Sequence, residues 1–206
     1  MTVVALARPR FGFAALLVAA ALALSGCGVN AIPTLDEQVK AAWAQVQNQF
    51  QRRADLIPNL VETVKGYAGH ERETLEAVVN ARARATQTTL PPDILTNPEA
   101  FRQFQQNQQA ISGALGRLLA ITENYPDLKA NANFRQLMAQ LEGTENRIAV
   151  ARRDYIGAVQ AYNTEIRTFP GVIWASTLYR DAKVKESFAA EAGAEQVPRV
   201  SFGKGS

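Results

Sequence analysis

The chain contains very few of the residues on which most catalytic and metal sites depend. Among its 206 residues, Cys27 is the one cysteine and His70 is the one histidine. Zinc sites built from cysteine and histidine need several such ligands, and an internal disulfide needs two cysteines, so both are excluded. The 13 glycines are scattered and form no phosphate-binding loop or dinucleotide fingerprint. We therefore predict neither a metal nor a cofactor.

Candidates for nucleophilic catalysis are equally scarce. No pattern places a histidine beside Ser112, Ser176 or Ser187. A carboxylate-bridged metal pair in a bundle would need Glu-x-x-His turns, but Tyr67 stands three residues before His70. We predict no catalytic residues. Two alternatives stay open: a hydrolase that uses carboxylates near His70, and a small-ligand carrier with a cavity between helices.

Strand patterns are also lacking, since no segment alternates apolar and polar residues between turn pairs. Apolar residues instead recur at steps of three and four, which is typical of helices. The first stripe is predicted to start at a capping box of Thr34 and Glu37 and to reach Arg82. Its phase continues past Pro58. The stripe therefore predicts one long kinked helix or two nearly collinear helices.

Two further long helices follow. Asn97-Pro98-Glu99 is a strong helix start, and Asp127 or Asn131 opens a stripe that runs to Phe169 before Pro170-Gly171 ends it. A short apolar piece after this stop, 172–178, is expected to fold back on the end of the bundle. The fold class is all-α: an elongated antiparallel helical bundle of about four long helices over 34–188, followed by a flexible tail, 189–206.

The N-terminal sequence is typical of a targeting segment. Arg8 and Arg10 precede an apolar run, 11–24, and Leu24-Ser25-Gly26-Cys27 resembles the lipobox of bacterial lipoproteins. We predict a lipoprotein signal peptide over 1–26, a lipidated Cys27 with a linker over 27–33, and an extracytoplasmic protein tethered to the membrane. Gly28 after the cysteine predicts the outer membrane, facing the periplasm, if the cell has two. The alternatives are an uncleaved membrane helix and a chance cysteine.

The charge balance does not favour nucleic acid as a partner. The full chain has a net charge of +3, with 22 basic and 19 acidic residues. Removal of Arg8 and Arg10 with the signal peptide would leave 20 basic residues beside the same 19 acidic ones. A nearly neutral mature protein lacks the basic surface that nucleic-acid binding requires. We expect no nucleic-acid partner.

Polar residues interrupt the apolar stripes or collect on the opposite face. Arg53, Gln108 and Thr144 fall on core positions, where such residues commonly determine the register of packed helices, and this role is preferred to a ligand site. The stretch 145–147 is predicted to be a solvated face. A candidate partner surface lies opposite the apolar stripe of the first helix and comprises Asp55, Asn59 and Glu62.

The amino-acid sequences of several stretches resemble those of the LemA family. The resemblance rests on Ala42-Trp43, 52–68, His70-Glu71, 123–131, Phe134, 144–148, Ala151-Arg152, Tyr162-Asn163, Phe169-Pro170, Pro198 and Phe202. It implies a membrane-anchored, extracytoplasmic helical bundle and brings no established reaction or catalytic residue. Many members have an uncleaved membrane helix followed by Tyr-Asn, whereas this chain has Val29-Asn30. We predict a non-enzymatic scaffold or adaptor for unidentified envelope proteins, of undetermined oligomeric state.

Overall fold

The computed structural model describes residues 28–87 and 89–189, and within them the fold is helical. The helices are α1 (Ala31–Ala68), α2 (Arg72–Gln87), α3 (Pro98–Thr122), α4 (Pro126–Ala130), α5 (Ala132–Glu165) and α6 (Gly171–Thr177), with a 3₁₀ turn at Ile94–Thr96. No strand forms in these two ranges. The predicted all-α class is confirmed. The predicted signal peptide, Cys27 and all but the first residue of the predicted tail lie outside the described residues.

Four helices form an elongated antiparallel bundle, as predicted. The two longest, α1 and α5, pack against each other, while α2 packs against α1 and α3. At 1.5 Å per residue, the 38-residue α1 spans about 57 Å and the 34-residue α5 about 51 Å. The chain enters the bundle at Gly28, so we call that end the N-terminal end and the opposite one the distal end.

The predicted N-cap of the first helix, Thr34, lies four residues after the observed one. The helix begins at Ala31, preceded by Asn30, and no side chain caps it. Thr34 lies inside the first turn, where its hydroxyl donates a hydrogen bond of 2.8 Å to the carbonyl of Asn30. Thr34 and Glu37 therefore do not form a capping box.

The first apolar stripe belongs to two helices that run in opposite directions. The chain is helical without interruption through Pro58, as one of the two predictions had it, but α1 ends at Ala68. A turn at 69–71 then sends α2 back along the bundle, so the predicted continuation to Arg82 is wrong. The reversal is favourable because the apolar side of α2, with Leu75, Val78 and Ala81, becomes buried.

Asparagine side chains cap the next two long helices. Asn97 accepts a hydrogen bond of 3.1 Å from the amide of Ala100, which confirms the predicted start of α3. Asn131 accepts a hydrogen bond of 3.0 Å from the amide of Phe134 and caps α5. Asp127, the other predicted start, belongs to the separate short helix α4. The helix ends at Glu165. Phe169, predicted to lie on the apolar stripe, is 80% exposed.

The buried side chains form two clusters along the bundle. The cluster nearer the N-terminal end is aromatic: the ring centroid of Trp43 lies 5.1–5.7 Å from those of Phe104, Tyr155 and Phe101. The distal cluster is mainly aliphatic. Residues at the three-and-four spacing of the apolar stripes are buried in both clusters, among them Trp43, Phe50, Leu115, Leu141, Ile148 and Tyr155.

A segment without helix or strand, 184–189, closes the aromatic cluster. Its Phe188 ring lies 5.2 Å from Phe101 and 5.5 Å from Tyr155, centroid to centroid. Backbone groups of the segment also bond to the bundle, since Tyr155 donates to the carbonyl of Glu186 and Asn163 bonds both backbone groups of Lys185. Part of the sequence after α6 is thus integral to the core.

The short apolar piece after α5 folds back on the bundle end, as predicted. It forms α6, and its Trp174 packs on the aromatic cluster. Gly171 permits the close approach, since a β-carbon there would lie 2.1 Å from the carbonyl oxygen of Glu165. None of the helices formed by the described residues is both long and apolar enough to cross a membrane.

Candidate functional site

The predicted partner surface lies on the solvent side of α1. Asp55, Asn59 and Glu62 are all exposed, and their spacing of four and three residues places them on one helix face. Asp55 accepts a hydrogen bond of 2.8 Å from the side chain of Gln51. Glu62 has a neighbouring cation, Lys65, at 3.6 Å. The surface is polar and carries both signs of charge.

An open groove between α1 and α2 borders this surface. It has a volume of about 820 Å³ and is lined by Val61, Glu62, Lys65, Gly69, Arg72, Leu75, Glu76, Val79 and Asn80. Val79 is 46% exposed, which gives the groove an apolar floor between charged walls. Glu62 connects the groove to the predicted surface, whereas Asp55 and Asn59 lie outside it. A shallow, mixed lining suits a protein segment better than a small molecule.

A buried arginine joins three helices inside the bundle. Arg53 of α1 is 1% exposed. One guanidinium nitrogen donates to the side chain of Ser112 at 2.9 Å and to Glu145 at 3.2 Å. The other donates to the side-chain oxygen of Gln108 at 2.7 Å and to its backbone carbonyl at 3.2 Å. The network links α1, α3 and α5, which is the geometry of the predicted register role.

The electrostatics of this network resemble those of a structural ion pair. Burial lowers the pKa of Arg53, and the Glu145 carboxylate opposes that shift. Glu145 is 42% exposed, so water shares its charge. The cavity beside the guanidinium measures only about 60 Å³, which has room for water but not for an organic ligand. These features give no support to a ligand site at Arg53.

Glu145 and Thr144 lie near Arg53, and their positions can be compared with those that the sequence predicted. Glu145, predicted to lie on a solvated face with neighbouring ion pairs, is 42% exposed, but its ion pair is with the distant Arg53. Thr144, predicted to interrupt the core, is fully buried, and its hydroxyl donates to the carbonyl of Gln140. A sequence signal for Glu145 exists only in its position beside a core residue, because its partner is 92 residues away.

Arg82 of α2 supplies a hydrogen bond that Pro58 cannot make. Proline lacks a backbone N–H, so the carbonyl of Ala54, four residues earlier, has no donor within the helix. The Nε of Arg82 donates to that carbonyl at 2.8 Å. Ala54 itself is 3% exposed, so water could not easily replace this donor. The missing N–H of Pro58 thus leaves a carbonyl free for Arg82, whose hydrogen bond connects α2 to the middle of α1.

At the distal end, the last turn of α1 and the connections that follow α1, α3 and α4 supply polar side chains that form hydrogen bonds. This distal cluster comprises Tyr67, His70, Glu71, Tyr125 and Asn131. The Tyr125 hydroxyl lies 2.6 Å from Nε2 of His70 and donates to Glu71 at 3.0 Å. Asn131 donates to the hydroxyl of Tyr67 at 2.8 Å. All five belong to the stretches that carry the family resemblance, which was the signal that sequence reasoning left unused.

The distal cluster is a set of side-chain hydrogen bonds that holds neighbouring turns together; we call such a set a polar clasp. Partial desolvation and the hydrogen bond to Glu71 raise the pKa of Tyr125, so the phenol stays protonated at neutral pH. The same hydroxyl is within hydrogen-bond distance of Glu71 and of Nε2 of His70, so it links the turn at 69–71 to the residue that precedes α4.

Neither open alternative gains support from the geometry. Glu71, a third exposed, is the carboxylate that contacts His70 within the described part of the chain, so no buried carboxylate cluster favours a hydrolase there. Groups of three His, Cys, Asp or Glu side chains that could hold a metal are absent from the same residues. The larger spaces between helices, such as the groove of about 540 Å³ between α1 and α5, are open to solvent rather than enclosed.

The fold and these contacts define an all-α antiparallel bundle with polar clasps at its middle and its distal end. The model of the LemA family matches residues 42–202, which cover every long helix beyond the first turns of α1. The chain belongs to the LemA family.

Curated relatives are similar over most of the bundle. Magnetosome protein MamQ 2 of Paramagnetospirillum magneticum is 27% identical over 160 residues, covering 68% of this chain and 58% of the relative. Magnetosome protein MamQ of Magnetospirillum gryphiswaldense is 25% identical over 157 residues, with the same coverage. Protein LemA of Metamycoplasma hominis is 25% identical over 132 residues, covering 64% and 56%. The chain thus spans somewhat more than half the length of these relatives.

Proposed function

We propose that this protein is a membrane-tethered, extracytoplasmic scaffold or adaptor without enzymatic activity. Its partner surface comprises Asp55, Asn59 and Glu62, and its partners are proteins of the cell envelope. The observation that carries the proposal is the unbroken course of α1, which begins four residues after Cys27 and continues past Pro58.

The geometry of α1 supports a partner surface held away from the anchor. Asp55 and Glu62 lie 24 and 31 residues beyond Ala31, the first residue of the helix. A rise of 1.5 Å per residue places them roughly 36–47 Å along the helix. A tether at Cys27 would therefore allow this face to lie well beyond the lipid headgroups. The hydrogen bonds of Arg53 and Arg82 hold this part of α1 against the neighbouring helices. A surface held in place loses less conformational entropy when a partner binds.

The tether itself is tested at Cys27. Cells that express the wild type and Cys27→Ser are fed a fatty-acid probe, and incorporation into the protein is measured. We expect labelling of the wild type and none of the variant, which should also be mis-processed. Equal labelling of the two would refute lipidation at Cys27.

The partner surface is tested by crosslinking in intact cells. A triple alanine variant of Asp55, Asn59 and Glu62 should lose adducts with envelope proteins while its helical content is unchanged. The matched control replaces Glu142, Asn146 and Asp154 by alanine, because these residues have the same chemical types and are exposed on α5. Equal loss in both triple variants, or in neither, would contradict the proposed surface.

A hydrolase would respond to a different substitution. His70→Ala removes the imidazole from the distal cluster but leaves the partner surface intact. We expect this variant to retain every adduct of the wild type. A turnover activity of the purified wild type that His70→Ala abolishes would overturn the non-enzymatic proposal.

A further inference from the structure

Exposed apolar side chains are concentrated at the N-terminal end of the bundle. Nine large hydrophobic residues are exposed among the described residues, and five of them fall between 169 and 184. We call the first four of these, Phe169, Val172, Ile173 and Leu178, the N-terminal-end patch. Their exposed fractions are 80%, 42%, 46% and 62%. Isolated exposed hydrophobics need no explanation, but four within ten residues mark a surface that is normally covered.

The short helix α6 has two sides of different character. Gly171 and Trp174 lie toward the bundle, since Gly171 is buried against Glu165 and Trp174 packs on the aromatic cluster. Val172 and Ile173 are on the outward side. The outward side is therefore apolar at the start of the helix, where it adjoins Phe169, and polar at its end, where Ser176 and Thr177 are exposed.

The start of the described chain lies beside this patch. A β-carbon placed on Gly28 would be 3.4 Å from both Pro170 and Trp174, so the first described residue touches the base of α6. The preceding 27 residues include the apolar run 11–24 and Cys27. A chain anchored through either feature must meet the bilayer within a few residues of Gly28, because each residue spans at most about 3.6 Å.

Charges around the patch suit an anionic surface. Arg167, Arg180 and Lys183 are exposed on the same stretch, accompanied by one exposed acidic residue, Asp181. Basic side chains beside inserted apolar ones are the usual composition of a membrane-surface contact.

We infer that the N-terminal-end patch inserts into the lipid surface beside the anchor and so holds the bundle in a defined orientation. The inference rests on the proposed membrane tether and goes beyond it, because a tether alone leaves the bundle free to tilt. With α6 against the bilayer, α1 points away from the membrane and the partner surface faces the aqueous space.

Photocrosslinking of the full chain in native membranes tests the contact. A benzophenone amino acid, which attacks C–H bonds of lipid chains, is placed at Phe169 or Ile173 and, as matched controls, at Val79 or Val150. Both controls are exposed valines at 46%, on α2 and α5. Mass spectrometry of membrane-bound protein should find lipid adducts several-fold more abundant at the two patch positions than at the controls.

Three results would overturn the inference: equal lipid adducts at all four positions, adducts at the patch with another protein, and adducts within the same chain, for example with 190–206. Adducts of the last two kinds would mean that protein covers the patch.

A failed tether is distinguished by fractionation. If the wild type is recovered in the soluble fraction, the proposed tether is wrong, and the same soluble protein is then mixed with vesicles of neutral or anionic phospholipid. The patch still predicts flotation with anionic vesicles, which high salt weakens and which Phe169→Ser with Ile173→Ser lowers more than Val79→Ser with Val150→Ser. Absence of flotation would refute the patch as well.

Discussion

Replacing Arg82 by methionine should destabilise the bundle by an amount that depends on residue 58. The substitution retains an unbranched side chain but removes the donor that lies 2.8 Å from the carbonyl of Ala54. That carbonyl belongs to a buried residue and has no donor within its own helix, because Pro58 has no N–H. Hydrogen bonds from charged groups contribute about 1.5–3 kcal/mol, so Arg82→Met should lower the free energy of unfolding by roughly that amount.

Pro58→Ala restores the missing backbone donor and a good helix former. The carbonyl oxygen of Ala54 has two lone pairs, so in this variant it can accept from the new backbone N–H at residue 58 and from Nε of Arg82. We expect the single variant to be at least as stable as the wild type. In that background, Arg82→Met should cost less, and the coupling free energy of the double-mutant cycle should reach about 1 kcal/mol.

Urea unfolding of the four proteins, followed by far-ultraviolet circular dichroism, measures the cycle. An equal cost of Arg82→Met in both backgrounds, within about 0.5 kcal/mol, would show that the two residues act independently and refute the reasoning. A loss of several kcal/mol in Pro58→Ala alone would show that packing in this part of α1 demands the proline. The crosslinking assay then separates stability from function, since we expect Pro58→Ala to weaken partner recovery by changing the direction of Asn59 and Glu62.

Four further substitutions test the core and its polar contacts. Leu141→Ala should cost about 2–5 kcal/mol in the urea assay, because the side chain is buried, and a cost below about 0.5 kcal/mol would place it on the wrong face. Glu145→Ala should destabilise by about 1–3 kcal/mol and more than Arg53→Met, because it leaves a buried guanidinium without its anion; the reverse order would contradict this. Burial alone would raise the pKa of Asp36, but hydrogen bonds from Lys185 and Lys40 lower it below its ordinary value of 3.8. Its contribution should therefore be present above pH 3.8 and be lost as the pH falls through the lower folded pKa, so the stability difference between wild type and Asp36→Asn should shrink in acid.

Local signals predicted the helices better than their ends. Asn97 and Asn131 were recognisable because a capping side chain needs only a donor three residues away. Thr34 had the same local appearance, yet the helix begins earlier at Ala31 and uses no cap. Phe169 matched the apolar rhythm of α5 but lies beyond its end, because rhythm alone cannot show where a helix stops.

Contacts between distant residues were beyond the reach of sequence patterns. The hydrogen bonds of Arg53 to Glu145 and of Arg82 to Ala54 span 92 and 28 residues. Apart from its position beside a core residue, nothing in the local sequence of Glu145 distinguishes it from other exposed acids. The position of Arg53 in an apolar stripe indicated a polar contact in the core, but only packing of three helices supplied its partners.

The sequence by itself determined the helical class, the buried faces and the family of this protein. Apolar spacing near 3.6 residues permits few other structures, and a stripe must be buried wherever its helix goes. Tertiary structure alone decided that the chain reverses at 69–71. The phase of a stripe is the same for a helix that continues and for one that turns back after a few residues. What decides is the gain from burying Leu75, Val78 and Ala81 between α1 and α3, a property of the assembled bundle.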